Sequence, residues 1–294
     1  MAATIIDGKK IAEDIRTELK IEIVSLKERG IVPGLAAVIV GDNPASALYV
    51  KMKAKACESI GIYSEVIRLD NATSQVELEK RIAGLNDQDN IDGILVQSPL
   101  PMQIDEPKIT IGIDPDKDVD GFHPFNQGLL LAGKPRFQPA TPLGIMELLH
   151  RSGNSPAGKH VVILGRGFIV GRPLAVMLGL KNKYANATVT MCHTGTHNIA
   201  AFTKTADIII AAMGKAKFVT GDMIKPGAVI IDVGTNQIND PTHPKGSRLV
   251  GDVDFESVVE KAGAITPVPG GVGPMTIAAL LKNTVEACKF RKLK

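Results

Sequence analysis

Apolar runs long enough for buried strands alternate with amphipathic segments along most of the 294 residues. Residues 35–40 form an uninterrupted apolar run, which is typical of a strand buried on both faces of a parallel sheet. The next predicted strands lie at residues 63–69 and 91–97, where apolar runs include some polar residues. Because helical segments separate these runs, the pattern predicts a βαβ series with right-handed crossovers in the N-terminal part of the chain.

Local signals mark the ends of the intervening helices. Asn43 followed by Pro44 provides an N-cap and a proline at the first helical position, and Gly61 suits a helix C-terminus. These residues predict a helix over residues 44–60. Ser74 and Glu77 have the spacing of a capping box and predict the start of another helix.

A second series of apolar runs follows a proline-rich stretch. Prolines and short segments dominate residues 99–142, as expected of a junction between domains. The next apolar runs predict a second parallel sheet and lie at residues 161–164, 188–192, 208–213 and 229–233. The tail, residues 275–290, has helical periodicity and is expected to pack back onto the first domain.

The predicted fold class is therefore α/β, with two domains and a cleft between them. Residues 1–140 and 275–294 are assigned to an N-terminal parallel-sheet domain. Residues 141–274 are assigned to a Rossmann-like domain. Asp120 lies in the proline-rich junction, where such a cleft would form.

Composition narrows the class of protein. With 44% apolar and 22% charged residues the chain is an ordinary globular protein, and a net charge of +3 does not suggest nucleic-acid binding. Cys57, Cys192 and Cys288 are scattered, which argues against a disulfide framework and fits a reducing compartment. Neither a membrane-length apolar run nor a targeting segment is evident. We expect a cytoplasmic protein without membrane or nucleic-acid partners.

A glycine-rich turn follows the run at residues 161–164. Gly165, Gly167 and Gly171 have G-x-G-x-x-x-G spacing, one residue longer than the usual dinucleotide fingerprint. A turn between strand and helix brings backbone N–H groups to a pyrophosphate. By itself the spacing also fits a purely structural turn, but the strand before it and the helix after it favour a dinucleotide site.

The charges near this turn favour NADP over NAD. An NAD site usually has an acidic residue about 20 residues after the turn. Here residues 149–206 contain no Asp or Glu, while Arg166 lies within the turn and hydroxyl groups follow the strand that ends near residue 192. An arginine and hydroxyls suit a ribose 2′-phosphate.

The predicted helix over residues 44–60 carries Ser46, Tyr49 and Lys53 at spacings that place them on one face. From spacing alone, an amphipathic helix with an extended lysine is the simpler interpretation. Gln97, however, ends a predicted parallel strand, and ligands of open α/β sheets bind outside such strand ends.

Several motifs together resemble the family of bifunctional methylenetetrahydrofolate dehydrogenase/cyclohydrolases, the FolD family. The resemblance spans nearly the whole chain, and its proline- and glycine-rich C-terminal motif is highly specific. The motifs that carry it are Tyr49-Val50-x-x-Lys53, Val96-Gln97-Ser98-Pro99-Leu100-Pro101, Lys117-Asp118-Val119-Asp120-Gly121-Phe122, Gly165-Arg166 with Val170-Gly171-x-Pro173, and Thr266-Pro267-Val268-Pro269-Gly270-Gly271-Val272-Gly273-Pro274-Met275-Thr276.

The resemblance implies an NADP-dependent oxidation of methylenetetrahydrofolate and hydrolysis of the methenyl product. It implies Lys53 as the catalytic lysine, positioned by Tyr49 and Gln97, and Asp120 as the residue that grips the pterin. The residues expected to touch folate are Ser46, Tyr49, Lys53, Gln97, Asp120, Pro269, Gly270 and Gly271. Those expected to bind NADP are Gly165, Arg166, Gly167, Val170, Gly171, Pro173, His193, Thr194 and Thr235. A homodimer is implied as well.

Two positions depart from the family pattern. Gly167 stands where the family usually has serine, so a hydroxyl contact to the cofactor is lost and weaker NADP binding or preference is expected. Ala140 replaces a cysteine to which no catalytic role is assigned. His193 and His197 are four residues apart but straddle a strand end and a loop, so no metal site is predicted.

Alternative functions remain at this stage. A dehydrogenase without hydrolase activity, or an amino-acid or shikimate-type dehydrogenase, has the same fold, but the motif with Tyr49, Lys53 and Gln97 favours both folate activities. A non-enzymatic nucleotide-sensing protein would bind the cofactor without turnover. Protection by folate in thermal melts would argue against that alternative.

Overall fold

A computed structural model describes residues 3–242 and 246–293, which divide into two compact units. The first unit contains residues 13–140 and 277–294, and the second contains residues 1–12 and 141–276. In chain order the elements are β1 (Thr4–Ile5), α1 (Gly8–Glu28), β2 (Gly34–Val40), α2 (Pro44–Ile60), β3 (Tyr63–Leu69), α3 (Gln75–Asn86), β4 (Gly93–Val96), α4 (Glu106–Gly112), α5 (Pro124–Leu131), α6 (Ala140–Arg151), β5 (His160–Leu164), α7 (Gly171–Gly179), β6 (Thr188–Cys192), α8 (Ile199–Thr203), β7 (Ile208–Ala211), a 3₁₀ turn (Gly221–Met223), β8 (Val229–Asp232), β9 (Asn236–Asn239), β10 (Ser247–Val250), α9 (Phe255–Val259), β11 (Ala264–Ile265) and α10 (Val272–Lys292).

The first unit is built on a parallel sheet with the order β3–β2–β4. All seven residues of β2 are buried, as its uninterrupted apolar sequence predicts. One face of the sheet packs against α3, where Val38 and Val40 join Leu78 and Ile82 in one apolar core.

The segment before Asp120 runs beside β4 instead of forming an unattached loop. The Ile94 amide donates to the Lys117 carbonyl at 2.8 Å, and Ile94 and Asp118 form a parallel β-bridge. Lys117 is buried, and its ammonium donates to three carbonyls at the C-terminal end of α3, those of Leu85, Asn86 and Gln88.

The C-terminal helix α10 returns to the first unit, as predicted. Asn283 is buried, and its side-chain amide donates to the Val119 carbonyl at 2.7 Å and the Gln138 carbonyl at 2.8 Å. The last part of the chain therefore supports the segments on either side of residues 120–137.

The second unit is built on a six-stranded parallel sheet with the order β1–β11–β8–β7–β5–β6. Its central strands β5 and β7 are almost entirely buried. An antiparallel pair, β9 and β10, was not predicted from the sequence. The two-domain α/β fold class, with a Rossmann-like C-terminal part, is confirmed.

The N-terminal residues correct the predicted division of the chain. Thr4 and Ile5 pair in parallel with Ala264 and Ile265, so residues 1–12 group with the second unit and not with the N-terminal domain. A two-residue strand is too short to stand out by hydrophobic periodicity, and its partner lies far away in the sequence. Among residues 3–242 and 246–293, no helix has the length and apolar character needed to cross a membrane.

Candidate active site

Lys53 lies within the buried stripe of α2. The helix begins after Asn43, whose side-chain oxygen accepts from the Ser46 amide at 3.0 Å, and ends at Gly61, which has a left-handed backbone conformation with φ of 90°. The residues of the stripe recur every three or four positions and are Ser46, Val50, Lys53, Cys57 and Ile60. The lysine therefore occupies a position that an apolar side chain would normally take.

Gln97 holds the Lys53 ammonium. Lys53 is 8% exposed, and its Nζ donates to the Gln97 side-chain oxygen at 3.0 Å. The Gln97 amide nitrogen in turn donates to the Ser98 carbonyl at 2.7 Å, which fixes the orientation of the side chain. The Ser46 hydroxyl also points toward the Ser98 carbonyl, at 3.5 Å.

Burial and a nearby carboxylate act on Lys53 in opposite directions. Burial lowers the pKa of the Lys53 ammonium, while Asp120 raises it. The Asp120 side chain is partly exposed, yet desolvation raises the pKa of its carboxyl to about 6, against the opposing effect of Lys53. Near neutral pH these charges permit a lysine that gives up its proton more readily than a free one and an aspartate that is mostly ionised.

Tyr49 lies one helical turn before Lys53 and is 40% exposed. Ser46 and Lys53 belong to the buried stripe, whereas Tyr49 lies at its edge. The Lys53 ammonium donates its hydrogen bond to Gln97 and not to Tyr49. The positioning role expected of Tyr49 therefore remains a prediction.

Asp118 shapes the loop that carries Asp120, although the sequence did not single out Asp118 as a site residue. Its buried carboxylate accepts from the Phe122 amide at 3.1 Å, the His123 amide at 2.8 Å and the Asn126 side chain at 2.8 Å. Burial raises the pKa of this carboxyl, and the three donors oppose that shift. A short polar residue before a turn was the available sequence signal.

Close packing requires glycine at two of the three glycine positions in the turn after β5. Gly165 has φ of 127°, and a Cβ there would lie 2.1 Å from the Ala212 carbonyl oxygen. A Cβ at Gly171, where α7 begins, would lie 2.1 Å from the Gly165 carbonyl oxygen. Nothing lies within 4 Å of the corresponding position at Gly167, so the steric requirement that explains the other two does not apply there.

Val170 and Pro173 belong to the start of α7, whereas Arg166 projects from the turn. Val170 precedes α7 as its N-cap, and Pro173 is a buried residue in the first turn of the helix. Arg166 is exposed, and its guanidinium lies 3.4 Å from His193 Nε2. Two basic groups therefore lie together at the ends of β5 and β6.

The loop after β6 is folded by its own side chains. The Gly195 amide donates to His193 Nδ1 at 3.1 Å, and the His193 amide donates to the Thr196 hydroxyl at 2.9 Å. A neutral His193 ring that accepts at Nδ1 carries its proton on Nε2, the nitrogen near Arg166. Thr194 is exposed in this loop, and so is Thr235, which follows the end of β8.

Pro269, Gly270 and Gly271 belong to a tightly packed loop of the second unit. Gly270 has φ of 113°, and a Cβ at Gly271 would lie 2.7 Å from the Pro267 carbonyl oxygen. A Cβ at Gly8, where α1 begins, would lie 1.9 Å from the Gly271 carbonyl oxygen. The loop is thus shaped by glycines that permit close backbone contact. Within residues 3–242 and 246–293, no group of three His, Cys, Asp or Glu side chains is arranged to hold a metal ion.

Comparisons with known proteins identify the family of the chain. Residues 6–120 match the family model for the tetrahydrofolate dehydrogenase/cyclohydrolase catalytic domain, and residues 139–292 match that for its NAD(P)-binding domain. The bifunctional protein FolD of Moorella thermoacetica is 56% identical over 98% of this chain and 100% of its own. That of Chloroherpeton thalassium is 55% identical over 96% of this chain and 97% of its own.

Solved structures give the same result. The bifunctional FolD methylenetetrahydrofolate dehydrogenase/cyclohydrolase of Campylobacter jejuni superposes with a TM-score of 0.93, at 48% identity and covering 99% of this chain and 100% of its own. The corresponding Trypanosoma brucei enzyme, complexed with NADP and an inhibitor, also has a TM-score of 0.93, at 40% identity over 99% of both chains. With both family models matched along nearly its whole length, the chain belongs to the tetrahydrofolate dehydrogenase/cyclohydrolase family.

Proposed function

We propose that this chain oxidises 5,10-methylenetetrahydrofolate to 5,10-methenyltetrahydrofolate with NADP⁺ and hydrolyses the product to 10-formyltetrahydrofolate. These steps interconvert the one-carbon units carried by tetrahydrofolate, including those used in purine biosynthesis. The observation that carries the proposal is the buried Lys53 ammonium, held by Gln97, in a chain that matches both domains of the family.

Lys53 supplies the base for hydrolysis. The methenyl carbon is part of a cation that water attacks, and the attacking water must lose a proton. Burial lowers the pKa of Lys53, and a cationic substrate beside it lowers that pKa further. The amine then accepts the proton, while Gln97 keeps the nitrogen in place. The resulting hydroxyl adduct collapses to the 10-formyl group as its bond from carbon to N5 breaks and N5 takes up the hydroxyl proton.

Asp120 holds the pterin end of the folate, and Ser46 and Tyr49 complete the contact surface of the first unit. The partly exposed Asp120 carboxylate can accept hydrogen bonds from the N–H groups of a pterin ring. Asp118 fixes the loop from which Asp120 projects. Pro269, Gly270 and Gly271 are further proposed folate contacts, since the two glycines carry no side chain that would keep a ligand from the backbone.

The second unit binds NADP at the carboxyl ends of its strands. Bound NADP⁺ supplies the hydride acceptor. Gly165 and Gly171 bring backbone N–H groups and the start of α7 to the pyrophosphate, beside Gly167, Val170 and Pro173. Arg166, His193 and Thr194 offer a guanidinium, a ring N–H and a hydroxyl to the ribose 2′-phosphate. Thr235 is the contact from the loop after β8.

A homodimer and a cytoplasmic location are further parts of the proposal. The family resemblance supports the dimer, and the scattered free cysteines fit a reducing compartment. Light scattering of the purified protein would test the first, since a monomer at micromolar concentration would contradict it. Fractionation of the source cells would test the second.

A spectrophotometric assay tests the proposed function as a whole. Methylenetetrahydrofolate is supplied with NADP⁺ or NAD⁺ in parallel, and the decay of the methenyl product is then followed. Faster turnover with NADP⁺, together with enzyme-accelerated decay, is expected. Reduction without accelerated decay would restrict the enzyme to a dehydrogenase, and no turnover with either cofactor would favour a nucleotide-binding protein.

Lys53→Met tests the assignment of the base. Hydrolysis of methenyltetrahydrofolate should fall by about 10²–10⁴, because general-base help is lost while the buried volume is kept. Lys51→Met is the matched control, since Lys51 is exposed on the same helix and should leave hydrolysis unchanged. Retention of hydrolysis by Lys53→Met would refute the assignment.

A further inference from the structure

Two buried aspartates lie near the carboxyl end of the six-stranded sheet, outside the set of residues assigned above. Asp232 is the last residue of β8, and Asp252 comes two residues after β10. Their exposures are 4% and 1%. Buried carboxylates need several hydrogen-bond donors, so the groups that they contact indicate what they organise.

Asp232 joins the end of β8 to the segment after β10. One of its carboxylate oxygens accepts from the Gly234 amide and from the Asp252 amide, both at 2.9 Å. The other accepts from the Val253 amide at 3.0 Å. All three donors are backbone N–H groups, so the carboxylate defines the path of the backbone.

Asp252 joins the same region to the end of β7. One oxygen accepts from the Met213 amide at 2.6 Å and from the Gly214 amide at 2.8 Å. The other accepts from the Asn236 side chain at 2.8 Å. The two aspartates thus connect the loops that follow β7 and β8.

The candidate cofactor residue Thr235 lies between two of these anchored positions. Gly234 before it donates to Asp232, and Asn236 after it donates to Asp252. The backbone also packs closely here, since a Cβ at Gly234 would lie 2.3 Å from the Asp252 amide nitrogen. The two carboxylates therefore hold the residues on either side of Thr235.

Carboxylates suit this position better than amides do. Each aspartate accepts three hydrogen bonds, whereas an asparagine presents one accepting oxygen and an NH₂ group that would face N–H donors. In open parallel sheets the dinucleotide lies across the carboxyl ends of the strands, which is where the loops after β7 and β8 are found.

We propose that Asp232 and Asp252 are positioning residues for the cofactor, which set the backbone of residues 213–214 and 234–236 in the conformation that binds NADP. This inference rests on the proposed function, because it takes these loops to be part of the NADP site. It requires that NADP binding and dehydrogenase activity depend on the pair, whereas Lys53-dependent hydrolysis of methenyltetrahydrofolate does not.

The test compares Asp232→Asn and Asp252→Asn with the wild-type protein. The Kd for NADP, measured by calorimetry, is expected to rise about 10- to 100-fold, as for the loss of hydrogen bonds to a charged group. Hydrolysis of methenyltetrahydrofolate, assayed without NADP in the same preparations, is expected to change by less than about twofold. Unequal effects on the two measurements distinguish positioning from general loss of folding.

Asp207→Asn is the matched control. Asp207 comes immediately before β7, at the opposite end of the sheet, and its carboxylate accepts from the His160 amide at 2.8 Å and pairs with Lys225 at 2.6 Å. The variant should lower the melting temperature without changing the Kd for NADP. If the other two asparagine variants fail to fold, Asn236→Ala removes one donor to Asp252, keeps both carboxylates, and should still raise the Kd several-fold.

An unchanged Kd for NADP in Asp252→Asn, or in the folded Asn236→Ala variant, would overturn the proposal. Parallel loss of NADP binding and of hydrolysis in all variants, including Asp207→Asn, would overturn it as well. The binding measurement does not depend on turnover. A wild-type protein that binds NADP without oxidising methylenetetrahydrofolate would contradict the proposed function, while the comparison of Kd values would still decide the role of the aspartates.

Discussion

At the scale of single residues, the acid–base properties of the site depend on where Lys53 and Asp120 lie. Burial in the stripe of α2 lowers the pKa of Lys53, because desolvation disfavours the ammonium form. Gln97 positions the lysine nitrogen through a neutral hydrogen-bond acceptor. Asp120 opposes that shift because its carboxylate favours the ammonium form. The pH dependence of hydrolysis should therefore respond to both residues.

Asp120→Asn tests this coupling through the pH profile. Removing the carboxylate removes the interaction that raises the pKa of Lys53, so that pKa falls and the amine form persists at lower pH. The acid limb of kcat/KM for hydrolysis should consequently move to lower pH, even though overall activity decreases with the loss of a folate contact.

Glu58→Gln provides the comparison for that profile, since it removes an exposed carboxylate from the same helix. Its acid limb should coincide with that of the wild type. An Asp120→Asn limb that stays in place, or that moves to higher pH, would contradict the proposed coupling.

At the scale of secondary structure, the end of α3 positions the Asp120 loop. The Lys117 ammonium donates to the Leu85, Asn86 and Gln88 carbonyls at 3.0, 2.6 and 2.7 Å. The last carbonyls of a helix lack partners within it, and a cation there also complements the helix dipole. Burial lowers the pKa of Lys117 to about 8, so it keeps its proton near neutral pH.

Lys117→Met should both destabilise the first unit and weaken folate binding. The buried carbonyls lose their donor, which costs about 2–3 kcal/mol, and the segment leading to Asp120 loses its anchor. The expected result is a lower urea midpoint and a higher KM for methenyltetrahydrofolate.

Lys108→Met serves as the control for this variant, because Lys108 makes an exposed ion pair with Asp105 at 3.4 Å. Such pairs contribute little to stability. Equal effects of the two substitutions would show that the C-terminal end of α3 has no special part in the site.

At the scale of the whole molecule, the two ends of the sequence are placed by contacts across long stretches of chain. Residues 1–12 supply an edge strand to the second unit, while α10 completes the first. Asp92, which is fully buried, accepts from Arg291 at 2.7 Å, Lys292 at 2.9 Å and the Gly34 amide at 3.0 Å. The Asp92 carboxylate thus connects the end of α10 with the start of β2, and Asp92 itself immediately precedes β4.

Asp92→Asn should destabilise the first unit by about 3–5 kcal/mol, because breaking a buried ion pair leaves charges without their partner. Urea unfolding followed by circular dichroism measures the effect. Glu286→Gln, which removes an exposed partner of Lys289 on the same helix, should cost no more than about 1 kcal/mol. Equal midpoints for the two variants would remove Asp92 from this role.

The sequence alone was sufficient for those features that depend on neighbouring residues. The bounds of α2 follow from Asn43, Pro44 and Gly61, and β2 follows from its local apolar run. The α/β class, the glycine turn and the family resemblance have the same origin. The family resemblance, not the helical spacing, paired Lys53 with Gln97, and the structure joins the two side chains by a hydrogen bond of 3.0 Å.

Only the tertiary structure decided the features that depend on residues distant in the chain. The pairing of β1 with β11, the β9–β10 pair, and the distant carbonyls bound by Lys117 have no distinctive local pattern. The links from Asp232 and Asp252 to their donors arise only when separate strand ends meet. A buried polar side chain is specified by its hydrogen-bond partners, and those partners come from elsewhere in the fold.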